Sequence, residues 1–64
     1  MILTLNKLPD DTFHSTVVCF GEVKEWKVKT INILIEKIAF ACKPFVDPTD
    51  VRTIIELNWP QYLS

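Results

Sequence analysis

The sequence predicts a small α+β domain, about three short antiparallel strands followed by two helices. Three observations lead to this reading. The first half alternates in polarity and is dense in β-branched and aromatic residues. The second half repeats apolar residues at helical spacing, in 30–43 and again in 48–58. Pro9-Asp10-Asp11, the lone Gly21 and Lys43-Pro44 punctuate the elements. With 64 residues the chain is one domain, 1–64.

The first strand falls within Met1–Leu8, where Leu3 and Leu5 point one way and Thr4 and Asn6 the other. The second lies in Thr12–Phe20, rich in Thr12, Phe13, Thr16, Val17, Val18 and Phe20. A rival reading takes Asp10 as an N-cap and winds 11–20 as a helix carrying Phe13, Val17 and Phe20, giving an all-α three-helix bundle. Ser15-Thr16-Val17-Val18-Cys19 are weak helix formers, so strand is preferred. The third strand is Lys24–Lys29, with Trp26 and Val28 opposed by Glu25, Lys27 and Lys29. Asp47-Pro48-Thr49-Asp50 then supplies an N-cap acceptor, a Pro at the first helical position and an acid in the first turn. Val51, Ile54, Ile55 and Asn58 follow on one stripe, with Leu57 widening it, and Pro60 ends the helix. The short connector Pro44–Asp47 favours antiparallel packing of the two helices.

The first helix is apolar on two sides. At about 100° per residue, Ile31, Leu34, Ile35, Ile38, Ala41 and Cys42 share a broad stripe. Ile33 and Phe40 sit seven apart on the otherwise polar side with Asn32, Glu36, Lys37 and Lys43. Such a helix needs two surfaces to pack against, and a chain this short buries only about 60% of its unfolded surface. Association with a partner or a second copy is the expected remedy. Trp26, Ile33, Phe40, Trp59 and Tyr62 are the candidate partner-binding residues, aromatics being common interface anchors. The aromatic tail from Asn58 to Ser64 either folds back over the core or docks elsewhere; folding back is favoured.

Other stabilising devices find little support. Cys19 and Cys42 lie in apolar runs and read as small buried hydrophobes, reduced rather than bridged. His14 is the single histidine and no CxxC pair occurs, so no metal site and no cofactor are expected. The chain carries a net charge of −1, which gives no overall field for DNA or an anionic membrane. Met1–Leu5 is apolar but too short for a signal core, and Ile31–Cys42 is interrupted by Glu36-Lys37. A cytoplasmic or other reducing intracellular setting, with no membrane, is the expectation.

No catalytic motif is present. His14 is read as an outer-face residue, the acids Asp10-Asp11 and Asp47/Asp50 as turn and cap residues, and one glycine cannot build a phosphate loop. The chain is therefore expected not to be an enzyme. Its expected role is a small non-catalytic protein–protein interaction module, an accessory subunit or inhibitor, acting through an apolar helix face. The alternative is a small nucleic-acid-binding protein using Lys24, Lys27, Lys29 and Lys37 beside Trp26. Residues Thr30-Ile31 to Ile35 with Leu57-Asn58-Trp59-Pro60 and Tyr62-Leu63 are faintly similar to the SOCS box, which docks elongins and a cullin. Ile35 stands where that box has Cys and Asn58 where it has its first Pro, so no family is assigned.

Overall fold

The computed structural model describes residues 1–42 and 46–63. Strands β1 (Ile2–Lys7), β2 (Phe13–Cys19) and β3 (Glu22–Val28) form an antiparallel meander in the order β1-β2-β3. Helices α1 (Ile31–Ala41) and α2 (Pro48–Asn58) follow, and a 3₁₀ turn at Pro60–Tyr62 closes the described chain. This is the predicted α+β domain. The three-helix alternative fails at β2, where Phe13, Ser15, Val17 and Cys19 are buried and the residues between them are not. That period of two is what a strand covered on one face requires. None of the helices described is long and apolar enough to cross a membrane.

Both hairpin registers follow from their turns. Leu8 N–H donates to the Thr12 carbonyl at 2.8 Å, leaving Pro9-Asp10-Asp11 as a three-residue loop. Asp11 N–H donates to the Leu8 carbonyl at 3.0 Å, and Asp11 itself is left-handed, with φ +66°. A type I turn ended by one left-handed residue is the usual three-residue hairpin, and Pro9 and Asp11 suit their places in it. The Asp10 carboxylate accepts from both the Thr12 hydroxyl and the Thr12 N–H and lies 3.2 Å from Lys27 Nζ. These bonds, those of Thr12 foremost, pull its pKa from 3.8 to about 2.

The register Leu3↔Val17, Leu5↔Ser15, Phe13↔Val28 and Ser15↔Trp26 puts these residues on the helix-covered face. Ser15 is fully buried there, and its hydroxyl donates to the Thr4 carbonyl at 2.9 Å. That bond removes the desolvation cost of a polar atom in the core. Helix α1 begins where Thr30 Oγ1 accepts the Ile33 N–H at 3.2 Å. Thr30 is thus the cap and not the first helical residue. Ile31, Leu34, Ile35 and Ile38 are buried as expected, and Ala39 joins them. Ala41 is only part-buried, whereas Cys42 is sealed. The predicted stop at Lys43-Pro44 lies outside the described residues.

Helix α2 starts as read: Asp47 Oδ1 accepts the Thr49 N–H at 2.8 Å. It crosses α1 antiparallel, with Arg52 Nη1 donating to Asn32 Oδ1 at 3.0 Å and Pro48 lying beside Glu36. Val51 and Ile55 enter the core. Leu57 does not widen the stripe: at 77% exposure it faces water. It lies 200° from Ile55 around the helix, beyond the arc that α1 covers. The tail folds back, with Trp59, Tyr62 and Leu63 packed on the core and the Tyr62 ring edge-on to Phe13 at 5.3 Å.

Two predictions follow from these local bonds. Asp47→Ala should cost about 1 kcal/mol in urea denaturation through loss of the cap; an unchanged midpoint would place the start of α2 elsewhere. Asp10 has a folded pKa of about 2, below its ordinary 3.8, so its contribution is present above pH 3.8 and is lost as pH falls towards 2. Asp10→Asn should therefore flatten the acid limb of a melting-temperature profile across that window and change little in its shape above it.

Candidate functional site

The core is closed by one face of the sheet and the inward faces of α1 and α2, and the informative residues are those left outside it. Strands β2 and β3 pair as far as Cys19↔Glu22, so Phe20-Gly21 is a two-residue hairpin turn. Both residues are left-handed, Phe20 at φ +52° and Gly21 at φ +78°. This is the backbone of a type I′ turn, which Asn-Gly fills without strain. Gly21 adopts it freely. Phe20 does not: its Cβ crowds the carbonyl, at a cost of about 1–2 kcal/mol. The ring gains little from burial, since Phe20 is 71% exposed. A bulky apolar side chain held in a strained turn and shown to water is the kind of outlier that points to a functional surface.

Other exposed apolar residues gather round it. Ile2, Val18 and Val23 form one cross-strand row on the uncovered face of the sheet, next to the turn. Ile2 and Val23 are exposed, as is Met1, whose sulfur approaches Cys42 Sγ at 4.0 Å. The last turn of α1 reaches the same end. Ala41 and Phe20 both line a cleft of about 340 Å³, together with Cys19, Glu22 and Lys24. Phe40, the residue before Ala41, is 77% exposed. The start of the chain, the β2–β3 turn and the end of α1 thus converge on one apolar end of the domain. At this end Lys24 Nζ lies 3.4 Å from Glu22 Oε2.

The residues singled out from sequence divide between the two ends. Phe40 belongs to the apolar end. Ile33, 42% exposed, lies two turns back on the same outward side of α1. Trp26 lies on the helix-covered face of β3 and is half-buried against the core. Tyr62 packs on Phe13 at the opposite end, and Trp59 is half-buried against the core. The lysines are no more concentrated. Lys24 and Lys27 leave opposite faces of β3 and are paired with Glu22 and Asp10, while Lys29 follows the strand and Lys37 lies on α1. His14, on the uncovered face, meets Glu25 Oε1 through Nε2 at 2.9 Å. Sequence reasoning missed Phe20 as a surface residue. The signal was Phe-Gly at a turn between two strands, where the first position calls for Asn.

Phe20→Asn should raise stability by about 1 kcal/mol, because Asn tolerates the left-handed region and no core contact is lost. Chemical denaturation of the two proteins measures this. A destabilised variant would show that the ring is packed and not on display.

Compared with protein-family models, with curated proteins and with solved structures, the chain matches none.

Proposed function

We propose that this chain is a small non-catalytic protein–protein interaction module, an accessory subunit or inhibitor-like protein working in a reducing cytoplasmic setting. It acts by occupying an apolar surface of another protein or of a second copy, without turnover or cofactor. The observation that supports this reading best is Phe20, exposed at φ +52° where a polar residue would be more stable. Phe40 extends the surface onto α1, and Ile33 continues it along the outward side of that helix. Large aromatics with little conformational entropy to lose are suited to anchoring such contacts.

The double variant Phe20→Asn, Phe40→Ser tests the proposal. Its circular dichroism should match the parent, since neither side chain is buried. Its self-association in sedimentation, or its capture of the parent's partner from the source organism, should fall at least about tenfold, the loss expected of two anchors. Retained association in a folded double variant would exclude this surface. As a contrast, Tyr62→Ala should act on stability, because Tyr62 packs against Phe13.

A further inference from the structure

Cys19 ends β2 and Cys42 caps α1, and both are buried free thiols. Read from the sequence alone they are two separate small hydrophobes, 23 positions apart. The fold brings them into direct contact, with Cys42 Sγ 2.7 Å from Cys19 Sγ. That is closer than two unbonded sulfurs pack, and forming the bond of about 2.05 Å needs a movement well under 1 Å. The two thiols are also unequally placed. Cys19 lines the cleft between Phe20 and Ala41, whereas Cys42 is sealed from water. Burial pushes the Cys42 thiol up to about 11, with the Cys19 contact adding to the shift. Cys19 is thus the thiol a small reagent meets first, and Cys42 waits behind it.

We propose that Cys19 and Cys42 form a reversible intramolecular disulfide, a redox modification site that staples the end of β2 to the end of α1. The oxidant is a low-molecular-weight disulfide. The Cys19 thiolate attacks one sulfur of that disulfide, forming a mixed disulfide and releasing one small thiol. Cys42 then attacks Cys19 Sγ and expels the second small thiol, which carries off the Cys42 proton. In sum, two protein thiols and one small disulfide become one protein disulfide and two small thiols. In a strongly reducing compartment the pair stays a dithiol. The high pKa of Cys42 makes the second step slow at neutral pH. Because the bond ties the strand that enters the Phe20 turn to the end of α1, it fixes the apolar end in place.

The probe is glutathione. The native chain is equilibrated in buffers of graded oxidised-to-reduced glutathione ratio, starting from both the reduced and the oxidised protein. Intact mass should show loss of two hydrogens without an adduct, and peptide mapping should join the Cys19 and Cys42 segments. Reducing the folded protein should need at least about tenfold more reduced glutathione than reducing the chain in denaturant, because the fold holds the sulfurs together. The oxidised form should melt about 10 °C higher, and reductant should reverse this. Cys42→Ala should stop at a stable glutathione adduct on Cys19. Glutathione adducts or disulfide-linked dimers in place of the internal bond, or equal reducibility folded and unfolded, would overturn the proposal. So would thiols that remain free when approached from both directions.

Discussion

Helix α1 rests on the inward face of the central strand, and that seam places every other element. Leu34 and Ile38 on the helix and Val17 on β2 lose all contact with water. Each contributes roughly 1.5–3 kcal/mol by burial alone, a large share for a domain whose net stability is only about 5–15 kcal/mol. The seam is possible because two periodicities coincide. β2 buries every second residue from Phe13 to Cys19, and α1 repeats buried apolar residues every third or fourth from Ile31 to Ile38. Once they meet, Val51 and Ile55 of α2 fill the remaining flank, and Tyr62 of the tail closes the end at Phe13.

The residues the seam leaves out explain the shape of the exposed surface. A three-stranded sheet has two faces and this chain has helices enough for one. The other face stays open, mostly polar across Thr4, Thr16 and Glu25, and apolar only in the Ile2–Val18–Val23 row. That row adjoins the strained Phe20 turn and the last turn of α1. Met1, Ile2, Phe20, Val23 and Phe40 are therefore gathered at one end, while Ile33 and Leu57 are exposed apart from them; a gathered apolar patch differs from singly scattered exposed hydrophobics. The paired cysteines lie directly beneath it, so packing, turn strain and thiol chemistry all meet there.

Most of the fold was legible in the sequence, and the reasons are local. The β-branched and aromatic density of β2, the Pro-Asp-Asp turn and the Asp47 cap each act over a few residues, and each appears in the structure where the sequence places it. Thr30 was slightly misplaced because a capping residue and a first helical residue look alike without geometry. The candidate surface was half legible. The outward position of Ile33 and Phe40 follows from helical spacing and is observed. Trp26 joins them at the same seven-residue spacing only if α1 starts earlier, and it lies in β3 instead; Trp59 and Tyr62 are grouped with them on residue type, and packing places them on the core. The Cys19–Cys42 contact and the convergence of Met1, Phe20 and Phe40 depend on which ends of which elements meet, information that no short window carries. Phe20 was hidden for another reason: an aromatic in a strand-like run reads as core unless the turn is known to demand a left-handed backbone.

The buried seam between α1 and β2 should hold without any partner at the apolar end. Native-state hydrogen exchange, measured at several protein concentrations, tests this most directly. Amides of Val17 in β2 and of Leu34 and Ile38 in α1 should be the slowest, exchanging only through global unfolding at a rate independent of concentration. Amides near Phe20 and Phe40 should exchange faster in the isolated chain and slow down only as association sets in. If protection at the α1–β2 seam itself vanished on dilution, the chain would depend on a partner to fold, and the apolar end would be part of its core and not a surface held in reserve.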